Sequence, residues 1–100
     1  MNLVFQGTID PLGGTQINCD YESMIISLIV INNITANYNL TISRLDTAAA
    51  ATKTLLYTFT LDSGDSVRDV TQYKMAKGDY LHLESSGVSN TTYYISAEVS

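Results

Sequence analysis

Several residue types are scarce in this chain, and each shortage excludes a class of protein. Cys19 is the single cysteine among 100 residues, so an intrachain disulfide or a cysteine-based metal cage cannot form. A lone cysteine of this kind is most often a small buried hydrophobic residue. Only five Lys and Arg residues stand against ten Asp and Glu, and they are scattered along the chain. Nucleic-acid binding needs clustered basic residues, so we expect no direct nucleic-acid partner.

Long apolar runs are also missing. The longest run, Met24–Ile31, contains Ser27 and falls far short of the roughly 20 residues that a membrane helix needs. The N-terminus lacks the basic region and the small-residue cleavage site of a signal peptide. We therefore expect a soluble protein that is made in a cytoplasm and has no membrane partner.

Catalytic and metal-binding signatures are absent as well. The chain has no G-x-S-x-G, no H-E-x-x-H and no glycine-rich phosphate loop, so no enzyme and no cofactor is predicted. His82, the only histidine, shares a strand face with Tyr80 and Glu84. A general base with an orienting carboxylate is conceivable there, but a solvent-exposed strand face is favoured because a triad needs a nucleophile in a pocket.

Four loop carboxylates are candidates for a calcium site, since carboxylate oxygens from adjacent turns can bind that ion. They are Asp62, Asp65, Asp69 and Asp79. Their spacing fits no EF-hand. Asp65 and Asp79 each follow a glycine, which favours a role as turn formers.

The stretch Leu55 to Glu84 carries the clearest structural pattern. Leu55, Tyr57, Phe59 and Leu61 alternate with Leu56, Thr58 and Thr60, as in a half-buried antiparallel strand. Two turn signals of the same type follow, Ser63-Gly64-Asp65 and Lys77-Gly78-Asp79. Glycine reaches positive φ without steric cost, and aspartate hydrogen-bonds the nearby backbone.

Short segments with the same alternation recur along the whole chain. The predicted strands are Thr15–Cys19, Glu22–Asn32, Asn37–Leu45, Leu55–Leu61, an irregular strand or loop at Ser66–Tyr73, Tyr80–Ser85 and Thr92–Val99. Asp46–Lys53, with four alanines, is predicted as a loop that can hold one helical turn. The fold class is therefore all-β, an antiparallel β-sandwich or jelly roll of about seven or eight short strands.

One predicted strand, Glu22–Asn32, is apolar on both faces. Met24, Ile26, Leu28 and Val30 alternate with Ile25, Ile29 and Ile31. Such a strand is usually central, with the facing sheet covering one side and an extension or a partner covering the other.

The N-terminal residues 1–14 are interpreted as an arm with a Gly13-Gly14 joint, and residues 15–100 as a single β-sandwich domain. The arm can pair with its own sheet, which is slightly favoured, or add a strand to a neighbouring subunit. Tyrosine, with seven copies, suits interfaces because it combines apolar area with a hydroxyl. The predicted interface residues are Leu3, Val4, Phe5, Ile9, Tyr80 and Tyr94.

The segments LLYTFTLDSGDSVRD, from Leu55, and YKMAKGDYLHL, from Tyr73, resemble a loose family of small virion proteins of tailed bacteriophages. The resemblance covers Ile17 to Val99. It implies a β-sandwich without catalytic residues, present in repeated copies in the virion. The implied partners are further copies of the chain and the major capsid or tail proteins. The implied role is capsid decoration or cement, or alternatively a place in the neck, tail or fibre.

A second class of function remains open. The exposed tyrosines and the Asp-rich loops would also suit a small module that binds carbohydrate or another surface, with or without calcium.

Overall fold

The computed structural model describes residues 1–10, 12–33, 38–45, 53–85 and 91–100, and in these ranges it contains nine β-strands and no helix. The strands are β1 Asn2–Thr8, β2 Thr15–Asn18, β3 Ser23–Asn33, β4 Tyr38–Leu45, β5 Lys53–Leu61, β6 Ser66–Asp69, β7 Tyr73–Ala76, β8 Tyr80–Ser85 and β9 Thr91–Val99. The predicted all-β class is confirmed. The loop predicted at Asp46–Lys53 lies outside the described residues, except for its last residue, which begins β5.

The strands form two antiparallel sheets. Sheet I has the order β1-β9-β3-β6, with β7 also paired to β3, and sheet II has the order β2-β8-β4-β5. β6 and β7 lie beside successive halves of β3, so together they occupy one strand position. Counted this way, the first of eight positions pairs with the last, the second with the seventh, the third with the sixth and the fourth with the fifth. This is the pairing of a jelly roll, a long hairpin wound into two sheets.

The ninth strand arises where the sequence predicted one irregular segment. Ser66–Tyr73 is a short strand that ends at Asp69, and pairing with β3 resumes at Tyr73. The break between β6 and β7 lies opposite the irregular part of β3 that is described below. The chain therefore pairs with β3 both before and after that part.

The N-terminal arm belongs to its own sheet. β1 pairs with β9 from Asn2 opposite Glu98 to Thr8 opposite Thr92. The Val99 amide donates to the Met1 carbonyl at 2.9 Å, which closes the far end of this pair. Of the two arrangements considered for the arm, the intramolecular one is observed, and β1 is an edge strand.

The core lies between the two sheets and is apolar. Cys19, only 1% exposed, is part of it, as predicted for a lone cysteine. The fully buried side chains come from both sheets and include Ile9, Met24, Ile26, Ile29, Ile31, Leu40, Ile42, Leu81, Leu83 and Ile95.

A β-bulge at Ser27 changes the face of β3. The register to β9 shifts between Ile26 and Leu28, so an extra residue is accommodated there. Met24 and Ile26 are buried before the bulge, and Ile29 and Ile31 are buried after it. The uninterrupted alternation predicted for this strand is therefore wrong.

A second bulge, at Leu56, affects β5. Ile42 lies opposite Tyr57 and Ser43 opposite Leu55, which leaves Leu56 as the extra residue. Leu56 packs against the core, whereas Leu55 is 61% exposed. The prediction that Leu55 shares a face with Phe59 and Leu61 is corrected accordingly, because period-2 alternation does not continue through a bulge.

Candidate docking surface

The two Gly-Asp turns, Asp62–Asp65 and Ala76–Asp79, have the same backbone geometry. In each, the amide of the fourth residue donates to the carbonyl of the first at 3.0 Å. Gly64 has φ of 86° and Gly78 has φ of 93°. Positive φ at the third position is what a type II turn requires, and glycine adopts it without strain.

The aspartates complete these turns. The Asp65 carboxylate accepts from the Asp62 amide, and the Asp79 carboxylate accepts from the Ala76 amide, both at 2.9 Å. The predicted role of Asp65 and Asp79 as turn formers is confirmed. Within the described ranges, no group of three or more His, Cys, Asp or Glu residues is placed to hold a metal ion.

Both turns are corners between the sheets rather than hairpin ends. The first joins β5 of sheet II to β6 of sheet I, and the second joins β7 of sheet I to β8 of sheet II. Each turn also docks on another strand end. Asn33 exchanges backbone hydrogen bonds with Asp65 and Gly64, and Cys19 does the same with Asp79 and Gly78, at 2.8 to 3.0 Å.

A polar pair lies where β6 ends. Asp69, 9% exposed, accepts hydrogen bonds from the Thr71 amide at 2.8 Å and from the Tyr73 hydroxyl. The pKa of Tyr73 is raised well above its ordinary value, mainly because the side chain is partly buried and secondly because its hydroxyl donates a hydrogen bond to Asp69. The pair holds the chain together across the gap between β6 and β7, which is a structural role.

His82 packs under the Gly13-Gly14 turn. Its side chain is only 12% exposed, and its Nε2 lies 3.8 Å from a Glu84 carboxylate oxygen. A Cβ at Gly14 would come within 2.6 Å of that Nε2, and Gly14 has φ of 80°. The expected solvent-exposed position of His82 is therefore corrected: the histidine is covered by the turn that the two glycines permit.

The outer face of sheet I carries an apolar group of side chains, here called the outer patch. Its members are Val4, Ile25, Leu28, Val30 and Tyr94. Val4 is 50% exposed and Tyr94 is 39% exposed, while the three β3 residues are half-buried. They lie together because Ser96 pairs with both Val4 and Leu28, and Tyr94 pairs with Val30.

Charged side chains border the outer patch on opposite sides. Ile25 lies between Glu98 of β9 and Lys74 of β7. Val30 lies between Tyr94 of β9 and Arg68 of β6. Acid therefore flanks β3 on one side and base on the other.

The outer face of sheet II is mostly polar instead, and the exposed apolar side chains of this sheet, Leu55 and Tyr57, lie on its edge strand β5. Asn39, Thr58, Thr60 and Glu84 are exposed, and Thr41 is half-buried. The Thr60 hydroxyl donates to the Asn39 side-chain oxygen across β4 and β5 at 3.2 Å. This face shows what a sheet looks like when it faces water.

A shallow cleft of about 430 Å³ adjoins the outer patch at Tyr94. The side chains of Gln6, Thr8, Asn32 and Thr92 line it, and none of its lining residues is charged. Among the described residues, none of these four side chains makes a hydrogen bond. Their amides and hydroxyls are thus available to a ligand.

The six predicted interface residues do not form one surface. Val4 and Tyr94 meet on the outer patch, but Leu3 and Phe5 turn inward against the core and Ile9 is fully buried. Tyr80 lies in sheet II, opposite Asn18. The outer patch also contains Ile25, Leu28 and Val30, which lie outside the predicted interface although the two-sided apolar character of their strand indicates them.

The described part of the chain holds no helix of the length and apolar character that crossing a membrane requires. No protein-family model matches the chain. Comparison with curated proteins finds no match either.

Proposed function

We propose that the chain is a non-enzymatic structural protein of a bacteriophage virion, which associates with copies of itself and docks on the capsid shell as decoration or cement. A place in the neck, tail or fibre is the alternative. The observation that carries the proposal is the outer patch, an apolar surface on the central strand of a sheet whose other side already covers the core.

The free energy of hydration supports this role. Leaving apolar surface in water costs about 25 cal/mol per Å², and the polar outer face of sheet II shows that this fold does not need such exposure. Charged residues make up only 15% of the chain, so contact with another surface requires few ions to lose their water. By analogy of fold alone, jelly rolls recur in viral capsids and in lectins.

The test is association with particles. The chain should co-purify with virions at a fixed ratio to the major shell protein. Leu28→Lys should abolish particle binding, because a charge in the centre of the outer patch blocks the self-association in which the chain occupies the shell. Thr41→Lys, the matched change on the outer face of sheet II, should leave it intact. Absence from particles, or equal behaviour of the two variants, would contradict the proposal.

A second candidate function is the binding of a neutral sugar, which the uncharged cleft favours. Amide and hydroxyl groups both donate to and accept from sugar hydroxyls, and Tyr94 offers an aromatic face. Methyl glycosides of glucose, galactose, mannose and N-acetylglucosamine would be titrated by NMR, with millimolar affinity expected, or about −4 kcal/mol. Shifts should centre on Gln6, Thr8 and Asn32 and disappear in Tyr94→Ala but not in Tyr80→Ala. No shift with any of the four sugars would exclude this function.

A further inference from the structure

We propose that two copies of the chain pack outer patch against outer patch around a two-fold axis that runs along β3, so that Lys74 meets Glu98 of the partner subunit and Arg68 meets Tyr94 of the partner subunit. This inference rests on the self-association proposed above and specifies its geometry.

The register of sheet I supplies the arrangement. At one level of the sheet, Glu98, Ile25 and Lys74 lie side by side on β9, β3 and β7. Two levels further along, Tyr94, Val30 and Arg68 lie side by side on β9, β3 and β6. Neighbouring strands are about 4.8 Å apart, so the flanking residues lie at equal distances from β3.

A half-turn about an axis along β3 exchanges the two sides of that strand. Ile25, Leu28 and Val30 then face their own counterparts in the partner, which gives an apolar, self-complementary centre. Each residue on the β9 side faces the residue at the same level on the β6 and β7 side. Two sheets that pack face to face with nearly aligned strands are a common arrangement, with about 10 Å between them.

The border residues fit this operation. Lys74, Glu98 and Arg68 are all exposed in the single chain, so they are available for contacts with a partner. Lys74 faces an acid on the partner, and the Arg68 guanidinium faces the Tyr94 ring, which attracts cations. Each contact occurs twice because of the symmetry.

The competing orientation is unfavourable. A two-fold axis perpendicular to the strands would exchange the two levels and place Lys74 against Arg68 of the partner subunit. Like charges that meet at an interface destabilise it, so the same residues that support one orientation oppose the other. The charge pattern thus selects the axis along β3.

The test is a charge swap followed by sedimentation equilibrium at low salt. Lys74→Glu or Glu98→Lys alone turns two attractive contacts into repulsive ones, and each should weaken association about tenfold. The double variant, Lys74→Glu with Glu98→Lys, restores unlike pairs and should return to within about twofold of the parent chain.

Matched controls separate the contact from net charge. Lys77→Glu changes the same charge in the second Gly-Asp turn, and Glu84→Lys changes it on the outer face of sheet II, and both residues are exposed. Neither should alter association by more than about twofold. Thermal unfolding of every variant confirms that the fold is retained.

Two results would overturn the inference. If the parent chain associates but the double variant stays as weak as the single ones, the two-fold arrangement is wrong while self-association stands. If the parent chain is monomeric up to about millimolar concentration, both the arrangement and the proposed self-association fail.

Discussion

The two sheets differ most on their outer faces. β3 and β4 are both interior strands of their sheets, and both bury one face against the same core. β4 presents Asn39 and Thr41 outward, whereas β3 presents Ile25, Leu28 and Val30. Since the core is built equally well by both strands, the apolar outer residues of β3 are not required by the sandwich itself.

This difference separates folding from association. The inward side chains are those that the core of a single chain needs. The outward apolar side chains of sheet I are of the kind found in interfaces between chains. Changes to the inner face should therefore appear in the free energy of unfolding. Changes to the outer face should appear in the association constant.

The largest effect is expected from breaking the alternation of β3 beyond the Ser27 bulge. Deleting Val30 makes Ile29 and Ile31 adjacent, so one of these two fully buried side chains must turn outward and leave a gap in the core. Full burial of such a side chain contributes about 1.5 to 3 kcal/mol, and the gap adds to the loss. We expect the free energy of unfolding in urea to fall by at least that amount.

Ser27→Ala is the control for this deletion. It keeps the bulge and removes only the hydrogen bond from the Ser27 hydroxyl to the Ser96 carbonyl. Its cost should stay below about 1 kcal/mol. A deletion variant as stable as this control would show that the two faces of β3 are interchangeable.

The hydrogen-bonded pair of Asp69 and Tyr73 in sheet I gives the next effect. Tyr73→Phe leaves the nearly buried Asp69 without the tyrosine hydroxyl and should cost about 1 to 3 kcal/mol in urea unfolding. Tyr80→Phe should cost less than about 0.5 kcal/mol. Equal losses in the free energy of unfolding for the two variants would show that the hydrogen bond from Tyr73 to Asp69 adds no particular stability.

The same pair predicts a pH dependence. The pKa of Tyr73 is raised in the folded chain, so above the ordinary tyrosine pKa of about 10 the unfolded chain binds fewer protons than the folded one. Stability from this group is complete below pH 10 and declines as the pH rises further. The parent chain should lose more stability than Tyr73→Phe between about pH 9 and 11, measured by denaturant unfolding. Equal losses of stability in the parent chain and in Tyr73→Phe would contradict a raised pKa of Tyr73 in the folded state.

The glycines that carry the chain between the sheets come next. Gly64→Ala and Gly78→Ala place a side chain at positive φ, at a cost of about 1 to 2 kcal/mol each. Nothing lies within 4 Å of a Cβ at Gly64, so its cost comes from the backbone alone. Gly13→Ala meets no atom within 4 Å either and should be nearly neutral, as measured by thermal unfolding. Equal shifts of the melting temperature in all three variants would contradict the positive φ of Gly64 and Gly78.

The smallest effect on stability is expected from exchanging the character of the two outer faces. Leu28→Thr and Thr41→Val should each change the free energy of unfolding by less than about 1 kcal/mol. Leu28→Thr should weaken self-association in sedimentation velocity, whereas Thr41→Val should leave it unchanged. An effect of Thr41→Val on association would assign an interface to sheet II as well.

Local pattern predicted the strands but not their irregularities. Tyr38–Leu45 matches its prediction within one residue, because its alternation runs on without an inserted residue. The bulges at Ser27 and Leu56 were missed, since an extra residue changes the face of everything beyond it and leaves no local signal. The Gly-Asp turns were recognised from backbone chemistry, but φ at Gly64 or Gly78 does not determine which sheet the next strand joins.

The candidate site shows the same division. Tyr94 and Val4 were selected for their residue type and position, and they do lie on the outer patch. Ile25, Leu28 and Val30 needed knowledge of the bulge, because the choice of core residues within an apolar strand depends on its register.

The pairing of β1 with β9 has a consequence for how the module can be connected. Its two ends emerge side by side, one strand spacing or about 5 Å apart. A unit with adjacent ends can be placed within a surface loop of another protein without stretching that loop. It should also tolerate circular permutation, with a short glycine linker joining residues 1 and 100 and new ends opened at the exposed Ser63-Gly64 bond.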